Sequence, residues 1–291
     1  MDSDTATIDN AVDAEMVFDR WLGRAVGALR SAQGATLNQF WILLLISERQ
    51  PISITSMNGL LELNYTTVAE CAGQLQRMGA LAKSGNDDDR RESLLTMTVA
   101  GEQLMEELDR ELIAVAKQAL SPLTGTTRIQ AMQLFHNVCI RLDKKRMVGN
   151  LVHGDGAFLI VCQQTAMNFA AICKRNIVTA LQGHLLLAIG RHEVLAEKTA
   201  RDLLYCDAPT LSRTIAKMEA AGLIAREPGA TKREKQLRLT PIGLQCASLI
   251  AVETEEMLRQ LFADDYATDI YRQTVAALRL SLRETLGASQ R

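Results

Sequence analysis

Aromatic residues and prolines are scarce in this chain of 291 residues, at 4% aromatic residues and 5 prolines. Few prolines, together with abundant Ala and Leu, favour helix over sheet. Hydrophobic residues make up 47% of the chain, which is enough for a packed core and excludes wholesale disorder. We therefore expect a mainly helical protein with about two domains.

The sequence also lacks an apolar run long enough to cross a bilayer. The longest run, residues 40–46, is far shorter than the roughly 20 residues that a membrane helix needs. The N-terminal residues are acidic and do not show the basic-then-apolar pattern of a signal peptide. These absences predict no membrane partner and a cytoplasmic location.

The motifs of enzymes and metal sites are missing as well. The 6 cysteines and 4 histidines show no metal-binding spacing, and neither a Gly-x-Ser-x-Gly motif nor a Gly-rich phosphate loop occurs. The run Asp87-Asp88-Asp89 fits a solvated turn better than a metal cage. We expect no catalytic residue, no metal and no cofactor. Most cysteines are expected to be small buried side chains, with a redox-sensing thiol as the alternative.

What the chain does contain is an internal repeat, at an offset of 143 residues. The offset places Gln39 on Gln182, Leu43 on Leu186, Thr67 on Thr210 and Gly79 on Gly222. With one residue fewer in the second copy, residues 98–101 fall on residues 240–243. Two copies of this length predict a duplicated domain rather than a solenoid. The glycine-containing segment 147–156 is the expected boundary, which gives domains 1–149 and 150–291.

Each copy is expected to contain the same elements in the same order. Helices are predicted at 9–31, 37–48, 55–62 and 65–78, and at 155–176, 181–192, 197–205 and 208–221. Two short strands follow, at 80–83 and 93–97 and at 223–226 and 236–239, and then a long helix from Val99 or Pro241 and a last helix near 126–147 or 266–286. Asn64 and Asp207 are expected to be helix N-caps, and Gly79 and Gly222 to end those helices with positive φ.

This order of helix, helix, short helix, recognition-type helix and two-stranded wing resembles the MarR family of winged helix-turn-helix regulators. The residues that carry the resemblance are 37–40, 66–68, 79–81, 88–91 and 95–101 in the first copy, and 209–213, 218–224 and 237–243 in the second. The resemblance implies two fused protomers, mainly helical with small β wings, that form an intramolecular pseudo-dimer and a monomer by mass. It also implies a bacterial transcriptional regulator whose recognition helices enter the major groove of double-stranded DNA.

The second copy has the more basic recognition helix. Leu211, Ile215 and Met218 recur at helical spacing and are expected to be buried. The opposite face carries donors that suit base edges and phosphates. The predicted DNA-binding residues are Thr210, Ser212, Arg213, Thr214 and Lys217 in this helix and Lys232, Arg233 and Lys235 in the wing.

The first copy is more acidic. Val68, Ala72 and Leu75 are its expected buried residues, and Thr67, Glu70, Cys71 and Gln74 its expected exposed face. Glu70 stands where the second copy has Arg213, and a carboxylate there repels phosphate. The predicted DNA-binding residues are Thr66, Thr67, Gln74, Arg90 and Arg91; the family pattern implies that Asp89 steadies Arg91, whereas the second copy has Thr231 at that place. A first copy that only supports the second is the alternative.

The resemblance further implies a small aromatic effector. Trp21, Phe40, Trp41, Phe158 and Phe169 are the residues expected to line its cleft, with plain core packing as the alternative. The expected function is a transcriptional regulator acting as a repressor, and not an enzyme. The rival is a winged-helix protein that binds other proteins or ligands and has lost DNA binding, which the acidic first copy motivates.

Overall fold

The computed structural model describes residues 2–61, 63–86, 92–142, 156–204, 206–229 and 235–289. The chain forms two compact units. Unit I consists of Met1–Asp19 and Cys162–Thr268, and unit II of Arg20–Val161 and Asp269–Arg291. Each unit therefore combines a long segment from one half of the sequence with short segments from the other half. The predicted boundary between residues 149 and 150 lies outside the described residues and stays a prediction.

The two halves of the sequence contain the same order of elements. The first half folds as α1 (Asp2–Gln33), α2 (Leu37–Arg49), β1 (Ile52–Ser53), α3 (Ile54–Leu61), α4 (Tyr65–Arg77), β2 (Leu81–Gly85), β3 (Ser93–Met97), α5 (Val99–Ala119) and α6 (Gly125–Arg141). The second half folds as α7 (Gly156–Arg175), α8 (Ala180–His192), β4 (Val194–Ala196), α9 (Glu197–Leu204), α10 (Ala208–Ala220), β5 (Ile224–Pro228), β6 (Lys235–Leu239), α11 (Pro241–Phe262), a 3-10 turn (Ala263–Asp265) and α12 (Asp269–Ser289). The prediction of a mainly helical protein with small sheets is confirmed.

Each half contains a small antiparallel sheet that includes one strand more than the sequence predicted. The strand orders are β1-β3-β2 and β4-β6-β5. Ile52 of β1 pairs with Leu95, and Leu195 of β4 pairs with Leu237. The strands β1 and β4 are two and three residues long, which is too short for alternating hydrophobicity to be recognised.

Local side-chain chemistry begins and ends α4 and α10, as predicted. The side chains of Asn64 and Asp207 accept hydrogen bonds from the backbone amides of Thr67 and Thr210, each at 2.7 Å. These bonds satisfy amides that have no partner within the helix. Gly79 and Gly222 then adopt φ of 74° and 69°, in the region that favours glycine.

A second pair of glycines packs each wing against the following helix. Gly101 in α5 lies against the carbonyl oxygen of Ala80, and Gly243 in α11 lies against that of Leu223. In both places a Cβ atom would overlap the backbone. The recognition helix and the long helix that follows the wing can therefore approach only because these residues lack a side chain.

The cores of the two units differ in chemistry. In unit II, Trp21 is fully buried, stands edge-on to Phe158 and donates its indole N–H to the carbonyl oxygen of Leu278 at 3.1 Å. In unit I, the buried carboxylate of Glu15 lies 2.8 Å from Nε2 of His184. The ring of Phe169 stacks on His184 with the centroids 4.4 Å apart. Unit I thus buries an ionisable pair.

Among the described residues, α7 alone has the length and hydropathy of a membrane-crossing helix. Its mean hydropathy reaches 1.4, but 61% of that stretch is buried inside the protein. Buried core helices share this composition, so the match is weak evidence for a membrane span.

Candidate nucleic-acid interface

Helix α10 of unit I, which the sequence predicts to be a recognition helix, has a buried face and an exposed polar face. Leu211, Ile215 and Met218 are buried, as their spacing predicts. Ser212, Arg213 and Lys217 are exposed on the other side, with Thr210 and Thr214 half-buried. Lys217 forms no ion pair within the described part of the chain. The helix therefore presents two cations and several hydroxyl groups to solvent.

The first turn of α10 is organised around Asp207. One carboxylate oxygen accepts the backbone N–H of Thr210, and the other accepts its hydroxyl at 2.9 Å. The hydroxyl oxygen of Thr210 in turn accepts a hydrogen bond from Arg213 at 3.3 Å. The two bonds from Thr210 lower the pKa of Asp207, and the nearby guanidinium of Arg213 adds to this effect. Asp207 is consequently ionised at neutral pH.

Two other arginines near α10 are occupied by carboxylates. Arg226 of β5 contacts Glu197 at 2.7 Å and Glu219 at 3.0 Å, so that it joins α9, α10 and the wing. Arg238 of β6 pairs with Glu227 at 3.3 Å. The sequence gives no sign of this structural role of Arg226, because its partners lie in other elements.

The wing of unit I is described only in part. Lys235 is exposed at the start of β6. Lys232 and Arg233, which were predicted to bind DNA, lie outside the described residues. Their role stays a prediction, as do the roles of the residues in α10.

The recognition helix of unit II, α4, has the same cap but a different surface. Thr66, Glu70 and Gln74 are exposed, and Thr67 is half-buried. The side-chain oxygen of Gln74 accepts a hydrogen bond from the amide of Gln39 at 2.8 Å, which ties α4 to α2. Arg90 and Arg91 lie outside the described residues.

One expectation about α4 is wrong. Cys71 was assigned to the exposed face, but it is only 9% exposed and belongs to the buried face. It lies one helical turn from Val68 and Leu75 and forms a hydrogen bond with the side chain of Thr36. Burial raises the pKa of its thiol, so Cys71 is part of the packing between α4 and the start of α2.

The five aromatic residues predicted to line an effector cleft are all buried. Phe40 and Trp41 pack edge-on in α2, Trp21 and Phe158 pack together in unit II, and Phe169 stacks on His184 in unit I. An open groove of about 490 Å³ lies elsewhere, between α7 and α11, and its lining includes Ile172, Arg175, Glu253 and Met257 but none of the five. Their role in effector binding stays a prediction.

The buried cysteines are protected from deprotonation. Burial raises the pKa of Cys139 to about 12, and burial together with nearby carboxylates raises that of Cys173 to about 12. The pKa of Cys162 is also raised, chiefly by burial. Because the thiolate is the reactive form, these three thiols are inert at neutral pH. No group of three or more metal-ligating side chains comes together in the described ranges.

Comparison with known proteins agrees with the winged-helix arrangement of the first half. Residues 35–93 match the model of the MarR family. No curated protein sequence is similar enough to count as a match.

Several solved structures overlap with less than half of the chain. A probable transcriptional regulator from Pseudomonas aeruginosa has 22% identity and a TM-score of 0.37, and the match covers 42% of this chain and 91% of that chain. MepR from S. aureus in its DNA-binding conformation has 20% identity and a TM-score of 0.40, and the match covers 44% of this chain and 95% of that chain. PcaV from Streptomyces coelicolor in complex with its natural ligand has 21% identity and a TM-score of 0.36, and the match covers 41% of this chain and 83% of that chain. The part of the chain that is similar to the MarR family, residues 35–93, runs from the residue before the cap of α2 to the start of β3.

Proposed function

We propose that this chain is a DNA-binding transcriptional regulator composed of two fused winged-helix copies that act as an intramolecular pseudo-dimer. The observation that carries the proposal is the surface of α10. Arg213 and Lys217 are exposed on one face, while Leu211, Ile215 and Met218 anchor the other. The family match of residues 35–93 supports the same assignment.

In this mechanism, α10 enters the major groove with its N-terminal turn first. Arg213 has five N–H donors, which suit the two acceptors of guanine. Lys217 and Ser212 contact phosphates and fix the helix on the duplex. The wing, with Lys235 at the base of β6, contacts the flanking backbone or minor groove.

The first copy contributes a weaker reading surface. Glu70 disfavours phosphate and accepts from cytosine, so α4 has a different base preference from α10. Its role is to position the second reader or to read a distinct half-site. We further assign the protein to the cytoplasm, as a repressor without enzymatic activity whose DNA binding responds to a small aromatic effector.

The first experiment is fluorescence anisotropy of the protein with a random-sequence duplex pool, titrated from about 50 to 200 mM salt. If the protein makes about five phosphate contacts, this rise in salt concentration should weaken its binding roughly 100- to 1,000-fold. Selection from the same pool then shows whether one or two half-sites are read. The absence of binding even at the lowest salt concentration would contradict the proposal.

Charge reversal locates the reading surface. The variant Arg213→Glu with Lys217→Glu should abolish measurable binding. The matched control is Lys174→Glu, because Lys174 is an exposed cation of the same unit that lies on α7, away from α10 and the wing. If both variants bind as the unmodified protein does, α10 is not the reading surface.

The pseudo-dimer part is tested by mass. Light scattering should give about the mass of one chain, 32.0 kDa. A stable dimer at working concentration would contradict a fusion that replaces the two protomers of a homodimer.

A second candidate function is a winged-helix protein that binds other proteins or ligands without DNA. The exposed Glu70 on α4 favours it, since a carboxylate at this position opposes contact with DNA. The salt titration separates the two candidates, because only the regulator gives steeply salt-dependent duplex binding.

A further inference from the structure

The helices α4 and α10 differ at two matched positions near their start, the cap and the sixth residue. The repeat offset pairs Asp207 with Asn64 and Arg213 with Glu70, while a threonine, Thr210 or Thr67, stands between them in both. In α10 the cap Asp207 is an acid and the sixth residue, Arg213, is a cation. In α4 the cap Asn64 is a neutral amide and the sixth residue, Glu70, is an acid. In both helices this avoids placing two carboxylates within the first two turns.

The backbone cap does not account for the choice of an acid at position 207. Asn64 holds the amide of Thr67 at 2.7 Å, the same distance at which Asp207 holds the amide of Thr210. An amide side chain thus makes the cap as well as a carboxylate does. What Asp207 adds is a second oxygen, which accepts a hydrogen bond from the Thr210 hydroxyl at 2.9 Å.

That second bond fixes the direction of the hydroxyl group. With its proton turned toward Asp207, the Thr210 oxygen presents its lone pairs to Arg213. Arg213 donates one N–H to this oxygen and its Nε–H to the carbonyl oxygen of Pro209, both at 3.3 Å. The guanidinium is therefore held along the first turn of α10, at the end that leads into a groove.

Arg213 has enough hydrogen-bond donors left to bind a base. Two of its five N–H donors are used inside the helix, and in the described part of the chain the remaining three meet no acceptor. A guanine edge needs two donors in a fork. The contacts therefore orient the group without consuming its reading capacity.

We propose that Asp207 is a positioning residue that, through Thr210, orients Arg213 for guanine recognition, and so sets the base preference of the second half. This inference rests on the proposed DNA-binding function and deepens it. The lowered pKa of Asp207 agrees with the proposal, since a carboxylate that accepts two bonds stays ionised at neutral pH.

The test uses the full chain and the variant Asp207→Asn, which keeps the cap as Asn64 does but replaces the second oxygen with an N–H group. Preference for guanine over the other bases at the contacted position should fall about 10-fold. Affinity for non-specific duplex should stay the same or rise, because a negative charge near phosphate is removed. Thr210→Val should reproduce the loss of preference, and Thr210→Ser should retain the preference.

Three outcomes would overturn the inference. Equal loss of specific and non-specific affinity in Asp207→Asn would mean that Asp207 is only a helix cap. An unchanged base preference would mean that Arg213 needs no positioning. Failure of the unmodified protein to bind any duplex would remove the proposed function together with the inference.

A measurement without DNA separates these failures. The pKa of Asp207, followed by NMR titration, should rise in Thr210→Val and stay low in Thr210→Ser. If the pKa does not rise in Thr210→Val, the hydroxyl bond is absent in solution, and the inference fails while DNA binding by the second half stands.

Discussion

The two halves of this chain share a frame and differ in what they place on it. The frame comprises the threonine caps of α2 and α8, the Asx caps of α4 and α10, the glycines that end those helices and the glycines that admit the wing. The residues at these positions bond to or pack against backbone atoms, and the backbone has the same arrangement in both halves. The side chains that face solvent are not so constrained, and there Arg213 in one half is matched by Glu70 in the other.

The buried positions have diverged too. The repeat offset matches Glu15 and His184 of unit I with Phe158 and Trp41, which are buried aromatic residues of unit II. A homodimer of identical chains could not hold an ionisable Glu–His pair in one unit and aromatic rings at the matched positions of the other. The proposed fusion of two copies in one chain would permit this asymmetry.

The largest expected effect comes from breaking the buried pair. His184→Leu removes the 2.8 Å contact between Nε2 of His184 and the buried carboxylate of Glu15 in unit I, which should lower stability by about 3–5 kcal/mol. Replacing both residues, as in Glu15→Leu with His184→Leu, should recover most of the loss, because two buried apolar side chains need no partner. Urea unfolding of the single and double variants measures the coupling.

Equal instability of the single variant and the double variant would contradict this prediction. Glu15 and His184 would then stabilise unit I by how they fill the core and not by their interaction with each other. Trp41→Leu in unit II is the matched control. It removes an apolar ring without leaving a buried charge, so no second substitution should rescue it.

The next effect should be nearly the same in the two halves. Gly101→Ala and Gly243→Ala each bring a Cβ atom against a backbone carbonyl oxygen, that of Ala80 or Leu223, and both should destabilise the protein by about 2–3 kcal/mol. Gly23→Ala is the control, because its added Cβ meets no atom within 4 Å and a helical position gains from alanine. Thermal unfolding of the three variants tests whether the frame is equally tight in both halves.

Much of this frame could be predicted from sequence, since local chemistry determines it. Asn64, Asp207, Gly79 and Gly222 each act on the backbone within a few residues of themselves, and their spacing was enough to place α4 and α10. The match of residues 35–93 to the MarR family agrees with that prediction.

Long-range contacts could not be predicted in the same way. Glu15 and His184 are 169 residues apart in sequence, and no pattern in either helix indicates the other. For the same reason, the sequence could not show that residues 2–19 belong to the unit that contains α10. The expected exposure of Cys71 was wrong for a different reason. The burial of a residue at the border of a buried stripe depends on the neighbouring element, here Thr36 at the N-cap of α2.

A smaller effect is expected from transferring the reading chemistry of one half to the other. Asn64→Asp with Glu70→Arg recreates in α4 the acid, threonine and arginine of α10. One additional phosphate or base contact should strengthen duplex binding about 10-fold and steepen the salt dependence by about 0.9. Glu70→Arg alone is the control, and it should gain affinity without gaining base preference. Equal base preference in both variants would contradict a role for the acidic cap.

The smallest expected effect is a difference in acid sensitivity between the two capped helices. The pKa of Asp207 is lowered in the folded protein by its bonds from Thr210. Its stabilising contribution is therefore present above the unfolded pKa, near 4, and is lost as the pH falls through the lower folded value. Asn64 does not titrate, so its cap is independent of pH.

Comparison of the unmodified protein with Asp207→Asn isolates this contribution, since all other carboxylates are common to both. The thermal midpoint of the unmodified protein should exceed that of the variant at pH 7, and the two should converge toward pH 3. Asn64→Asp should show the reverse change, because it adds to α4 the titration that Asp207→Asn removes from α10. If the difference between the unmodified protein and Asp207→Asn did not change with pH, the Thr210 bonds would not favour the ionised carboxylate, and charge would not be the reason that an acid caps α10.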